Sequence, residues 1–457
     1  MFRVTAVGIF LMSLAPGPAA SPSKSLRAAE PADRAPDENP PVKFRWTGPS
    51  RDNHRYLTDL REAQGELDRF KSDRDWRWGF RQVVGTQYSF IGRYRKALEC
   101  FDEDGDEAPP NRALKLSGYE PCDAIETILE LADRRQAIMV NEAHHVPLHR
   151  AFTIQLLEGL YRRGFRYFAA ETLTAKDKAL RARGYPTLDS GSLLHEPLYA
   201  DLVRIAMQLG YQIVPYEFEE AKGKRIGEPA SDDENFVATQ NAREGGQARN
   251  LKDRIFSHDP KAKILVHAGY AHIAKKPATW ESEGQKREVR FMAVNFEKLT
   301  GIEPLTIDQT LMTERGKAEK ECSEYRAAIE QGLLNDKAVV LRQRVGSDFY
   351  SEVGYDLVVF HPRTHYENGR PTWLALGGRR KAHSVQGEVR PAEGASYLAQ
   401  AFYAQEQGAE AVPVDQLEYG ADEPVPTLWL PSGEFRIRII DESGKTLHEY
   451  STTSGSS

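Results

Sequence analysis

IMVNEAHHVPLHR, residues 138 to 150, sets three histidines and a glutamate directly behind a short apolar run. An apolar run that short, followed by a polar turn, has the form of a buried strand delivering side chains at its carboxyl end. The residues after it decide the class. From His149 to Arg163, Phe152, Leu156 and Leu160 share one helical face with Leu157 and Tyr161 beside it, and Gly164 closes the helix.

The alternation then repeats. RYFAAETL reads as a strand, LYADLVRIAMQLG as a helix closed by Gly210, and YQIVPYE as a strand. A long polar helix from about Asp232 to Ser257 leads into the strand AKILVHAG. Strands alternating with amphipathic helices imply right-handed crossovers and a mainly parallel sheet flanked by helices, an α/β fold. From Phe291 onward, FMAVNFEK, KAVVLRQ and YDLVVFHPR read as further strands. LWLPSGEFRIRIIDESGKTLHEY alternates around Ser-Gly turns, as antiparallel β-structure does, and predicts a small C-terminal β appendage.

The resulting division is a signal peptide at 1–20, a flexible leader at 21–45 and a helical N-terminal segment at 46–122. An α/β core follows at 123–310, then a helix and strands extending that core at 311–425 and a β-hairpin region at 426–457. In the helical segment Leu57, Leu60, Leu67, Phe70, Trp76, Trp78 and Phe80 recur at broadly helical spacing and read as core. Arg3, the apolar run Val4 to Leu14 and the small residues up to Ala20 have the form of a secretory signal, which predicts a periplasmic or secreted protein. No later run approaches the ~18 apolar residues of a membrane span.

A chain of 457 residues with 40% hydrophobic content has ample material for two or three cores. Its net charge of −6 supplies no basic field for nucleic acid or anionic lipid. Cys100, Cys122 and Cys322 contain no CxxC pair; an exported chain could join Cys100 to Cys122 across a loop, and packing is the expected role of all three. The acidic stretch FDEDGDEAPP lacks the glycine position and closing glutamate of a calcium loop and reads as a solvated loop.

In an open parallel sheet, ligands sit beyond the carboxyl ends of the strands. Here the first strand ends in Asn141, Glu142, His144 and His145. The second ends in Glu171, the third in Glu217 and the fourth in His267, with Tyr270 and His272 just beyond. Each strand therefore delivers an ionisable group at the same end. Arg243, on the long helix, would reach over those ends. His149 reads as structural, Glu217 as a group facing water or a lysine, and His361 and His365 as loop caps that would also line the cleft if placed beside it.

NEAHH, then ETL, REGGQARNL and VHAGYAH in that order, resemble the superfamily that unites ChaN-like haem-binding uptake proteins, Tiki-type metalloproteases and erythromycin esterases. The resemblance covers roughly Asp123 to Val294. Glu142 with His144 or His145 matches the Gly-Glu-x-His or Gly-Glu-x-x-His motif, with Asn141 where glycine is usual. Glu171 matches the glutamate after the second strand, Arg243 and Asn250 the Arg-Glu helix, and His272 the late Gly-His. His267 resembles an additional histidine of the esterase branch.

These residues suit hydrolysis of an ester or amide in a small molecule or peptide. No G-x-S-x-G elbow and no H-E-x-x-H helix occurs in the sequence. A histidine flanked by carboxylates suits the base role, with His144 partnered by Glu171 and with Arg243 and His267 or His272 polarising the carbonyl. Glu142, His144 and His272 are equally an imidazole and carboxylate set for a divalent metal, as the Tiki resemblance implies. The ChaN resemblance implies a third option, haem binding without catalysis, with His145, Tyr270 or His267 as axial ligand.

Overall fold

The computed structural model describes residues 55–455 except 73, 104–115, 219–232, 283–284, 353, 388 and 409. The expected signal peptide and leader lie outside the described residues, as do most of the acidic stretch and of the loop after the third core strand.

Three helices open the described chain: α1 (Tyr56–Arg69), α2 (Arg74–Phe90) and α3 (Tyr94–Asp102). β1 (Tyr119–Asp123) and α4 (Ala124–Ala132) follow, with Asp123 capping α4 by accepting the Glu126 N–H. The core then alternates β2 (Ala137–Glu142), α5 (Leu148–Arg162), β3 (Tyr167–Ala170), α6 (Pro197–Leu209), β4 (Gln212–Pro215), α7 (Asp233–Leu251) and β5 (Ile264–Gly269). Next come α8 (Met292–Thr300), β6 (Leu305–Asp308), α9 (Ser323–Glu330), β7 (Val339–Gln343) and β8 (Leu357–Val358).

Six of these strands form one parallel sheet in the order β8-β6-β2-β5-β3-β4. The period-2 alternation of side chains sorts each strand onto two cores. Ile138, Val140, Phe168, Ala170 and Leu265 face α5 and α6 through Leu156, Leu160, Leu202 and Val203. Ala137, Met139, Ala169, Ile264 and Val266 face α7 and α8 through Ala248, Leu251, Met292 and Phe296. Each of the large apolar side chains in these layers contributes about 1.5–3 kcal/mol by leaving water. The sheet is thus a three-layer α/β/α sandwich with both faces dry, as a parallel sheet requires.

The strand order locates the switch point. From β2 the chain crosses to β3 on one side, and from β5 it crosses to β6 on the other, yet β2 and β5 are neighbours with Glu142 opposite Gly269. Connections that diverge from adjacent carboxyl ends leave a crevice there.

Two sequence expectations are corrected. FMAVNFEK is the helix α8, because Met292, Ala293 and Phe296 are buried at helical spacing and Gly301, at φ 73°, supplies the left-handed residue that ends it. KAVVLRQ does not extend the main sheet: as β7 it pairs antiparallel with β1.

The C-terminal hairpin, β11 (Gly433–Ile440) with β12 (Thr446–Ser454), belongs to a four-stranded antiparallel sheet with β9 (Ser396–Tyr403) and β10 (Asp415–Gly420). It is bound to the rest by buried polar clamps. Arg204 of α6 is paired through two hydrogen bonds of 2.7 Å with Glu406, and Arg370 donates to Asp415 of β10 at 2.5 and 2.6 Å. Cys100, Cys122 and Cys322 are all free thiols.

Candidate functional site

Glu142 ends β2 on the face covered by α5. That parity brings it to the first turn of the following helix, where Arg150 closes on it with Nε at 2.6 Å from Oε2 and Nη2 at 2.7 Å from Oε1. His267, two residues before the end of β5 and on the same face, places Nε2 2.8 Å from Oε2. His144 places Nδ1 2.9 Å from Oε1. Glu142, Arg150, His267 and Glu196 are 0% exposed, so this cluster is a dry floor.

Burial alone would raise the pKa of Glu142. Arg150, His144 and His267 overturn that and hold it well below the usual carboxylate range. An ionised carboxylate only accepts, so His144 carries its hydrogen on Nδ1 and His267 carries one on Nε2. Arg150 also reaches Glu196 at 3.0 Å and the carbonyl of His144 at 2.8 Å, which fixes the turn that follows β2. Burial pushes Glu196 up despite Arg150, and its carboxylate caps α6 by accepting the Tyr199 N–H at 2.8 Å.

A second cluster lies nearer solvent. Glu171, just beyond β3, accepts from Arg243 Nη2 at 2.6 Å and from the Gly269 N–H. Arg243 grips Glu217 with Nε at 3.1 Å and Nη2 at 2.7 Å. His272 places Nδ1 2.7 Å from Glu244 and Nε2 3.3 Å from Glu171, with Arg243 Nη1 3.1 Å away. Burial works against a charge on His272, but Glu244 and Glu171 outweigh it and push its pKa up to about 10, with Arg243 opposing. Burial likewise opposes the charge on Glu171, and His272, Arg243 and His144 hold its pKa well below the ordinary range. The side chains of Arg243 and Glu217 are 14% and 23% exposed, so this rim is wet where the floor is dry.

Gly269 joins the two. A Cβ there would lie 2.4 Å from His144 Cε1, 2.8 Å from His144 Nε2 and 2.9 Å from Glu171 Oε2. Only a residue without a side chain lets the histidine of the first strand end and the glutamate of the second approach the same point. Tyr270, the next residue, has φ +41°, a left-handed conformation uncommon for a residue with a side chain. Asn141 holds it by donating to its carbonyl at 3.0 Å, and the same amide donates to Asp308 at 2.6 Å. Asn141 thus ties the ends of β2, β5 and β6 together, a use for its position that the sequence did not display.

The structure brings Glu142, His144, Glu171, Arg243, His267 and His272 into one crevice at the switch point. Asn250 faces its wall, donating at 3.1 Å to the carbonyls of Tyr216 and Glu217. His149 is buried with Nδ1 accepting the Ala143 N–H at 3.0 Å, and His361 is buried against Gln309. His365 lies on the surface, its side chain 72% exposed. Sequence reasoning missed Arg150, Glu196 and Asp308. For Arg150 a signal existed: it lies in the first turn of the helix that follows the strand end carrying Glu142.

The residues expected to hold a metal are engaged with neighbouring side chains. Among the described residues no group of three or more histidine, cysteine, aspartate or glutamate side chains is placed to hold a metal ion. The cause is visible for Glu142, His144 and His272: both oxygens of Glu142 are taken by a guanidinium, His144 Nδ1 is turned toward that carboxylate, and His272 is paired with Glu244 and Glu171. Two of the axial-ligand candidates have neighbours of their own. His267 has Nδ1 3.2 Å from Thr153 and Nε2 on Glu142, and His145 is fully buried, stacked on Phe101 at 3.6 Å, with Nδ1 3.5 Å from the Tyr270 hydroxyl.

No protein-family model matches the chain, and no curated protein does. Among solved structures it is similar to the type III effector HopBA1, at 13% identity and TM-score 0.29, over 44% of this chain and 94% of that one. It is also similar to RRSP, a MARTX toxin effector domain from Vibrio vulnificus, at 14% identity and TM-score 0.30. A structure described as bacterial protein toxins matches at 13% identity and TM-score 0.30. The last two matches cover 55% of this chain, which spans under half of their length, 46%.

Proposed function

We propose that the chain is an exported hydrolase of an ester or amide, a member of the superfamily its motifs resemble, working with water as nucleophile and without a metal. The observation that carries the reading is the approach of His144 Nε2 and Glu171 to one point above Gly269, with Arg243 and the His272 cation beside it.

His144, with its hydrogen on Nδ1 directed at Glu142, presents a basic Nε2. That nitrogen takes a proton from water as the water oxygen attacks the carbonyl carbon. The negative charge that develops on the carbonyl oxygen is met by Arg243 Nη1 and His272, two cationic donors 3.1 Å apart that Glu171, Glu217 and Glu244 hold in place. When the tetrahedral adduct collapses, His272 Nε2 gives its proton to the departing alcohol or amine. His144 then returns its proton to solvent and His272 regains one, which closes the cycle. Glu142, Arg150 and His267 never touch substrate in this scheme and act by positioning His144.

The test is a panel of fluorogenic esters, amides and peptides, assayed with the wild type, His144→Gln and His272→Gln, each with and without a chelator. Turnover by the wild type that survives chelation and falls about 10²–10⁴-fold in both variants is expected. Turnover abolished by chelator would overturn the metal-free scheme, and variants as active as the wild type would overturn the site.

A further inference from the structure

The first turn of α6 carries a side chain that touches the supports of both clusters and that the hydrolytic scheme does not use. Tyr199 is buried beside Leu198 and Leu202. Its ring carries the Arg150 guanidinium, 4.7 Å from the centroid. The same ring meets that of His267 at 83°, with centroids 5.3 Å apart. Its hydroxyl takes the backbone N–H of Thr172 as partner, and Thr172 directly follows Glu171. Its own backbone N–H goes to Glu196 Oε2, the oxygen that Arg150 Nη1 also reaches.

One side chain therefore holds two supports of Glu142 and the neighbour of Glu171. Hydrogen bonds to Glu142, Glu196 and the His144 carbonyl fix the Arg150 guanidinium in its own plane, and the attraction of a cation to an aromatic ring adds a restraint that they do not supply. Water is excluded from this floor, so nothing competes with the ring for that contact. Leucine would fill much of the volume without the ring's charge distribution. Phenylalanine would keep the ring and lose the hydroxyl.

We propose that Tyr199 is a positioning residue that keeps floor and rim in register: its ring holds Arg150 and His267 on Glu142, and its hydroxyl holds the turn that carries Glu171. Its part in turnover rests on the hydrolase reading, while its grip on the two clusters does not.

The test compares Tyr199→Phe with Tyr199→Leu in the full chain. Imidazole nitrogen NMR reads which ring nitrogen carries the hydrogen and needs no substrate. In the wild type and in Tyr199→Phe, the hydrogen is expected on Nδ1 of His144 and on Nε2 of His267. In Tyr199→Leu at least one of these rings is expected to show both tautomers. His272, whose pKa of about 10 depends on Glu171, is expected to titrate lower by about half a unit or more in both variants. On the best substrate of the panel, kcat is expected to fall about tenfold or more in Tyr199→Leu and less in Tyr199→Phe, with KM within about twofold of the wild type. A folded Tyr199→Leu with wild-type tautomers would overturn the proposal. So would a Tyr199→Phe that mixes the tautomers of His144 or His267, or one that leaves the His272 titration unchanged, and these two results decide the matter alone where Tyr199→Leu does not fold. A chain that hydrolyses nothing would remove the reaction and leave the NMR outcomes to judge the positioning role.

Discussion

The floor and the rim of the crevice use the same residue types, yet they are built for different ends. On the floor, Arg150, His144 and His267 surround Glu142 in a region fully withdrawn from water. On the rim, Arg243 and His272 meet Glu171, Glu217 and Glu244 where side chains remain partly exposed. A dry ion pair with all its hydrogen bonds made is rigid and expensive to break, while a wet one can exchange protons and admit a substrate. The difference assigns positioning to the floor and chemistry to the rim, with His144 belonging to both.

The sharpest way to break that division is Arg150→Met. It strands the Glu142 charge in a dry site, and removing one member of a buried pair costs about 3–5 kcal/mol. Urea denaturation is expected to show that loss. A variant as stable as the wild type would mean that the floor is not the anchor described. Gly269→Ala addresses the junction instead. Its added methyl must push His144 or Glu171 aside, and a displacement of about 1 Å at a reacting group costs about 10²-fold in rate. Turnover is expected to fall by that factor, while the denaturation midpoint moves less than in Arg150→Met.

The rim gives a pH signature. The folded-state pKa of His272 is raised to about 10, so the stability it contributes is full below the unfolded value of about 6.5 and is lost as pH rises through 10. The wild type should therefore lose stability between those pH values relative to His272→Gln, and parallel stability curves would contradict the paired cation. Glu142 runs the other way. Its lowered pKa makes its contribution present above about 4.3 and lost as acid titrates through the depressed value. The smallest expected effect is Asn250→Ala, which removes two hydrogen bonds from the wall and should cost about 1 kcal/mol by denaturation.

Much of the site was legible because a parallel α/β sheet orders its functional groups. Once RYFAAETL, YQIVPYE and AKILVHAG are read as strands, Glu171, Glu217 and His267 must stand at one end of the sheet. What remained hidden was set by pairing. Nothing local says that β5 inserts between β2 and β3, which is what brings His267 onto Glu142. β6 was missed because four residues behind a proline, half of them polar, carry little strand signal, and with it went Asp308 and the role of Asn141. FMAVNFEK misled because its apolar residues satisfy a short strand and a helix alike until Gly301 is weighed as a stop. Arg150 and Arg243 illustrate a further limit: both are arginines on helices, and only burial distinguishes the structural clamp from the group at the mouth.

The most direct measurement is the rate of hydrolysis of the best substrate from the ester, amide and peptide panel by His144→Gln, with its denaturation midpoint taken alongside. The account predicts an unfolding free energy within about 1 kcal/mol of the wild type and turnover reduced by about 10²-fold or more. Undiminished turnover in a folded His144→Gln would contradict it.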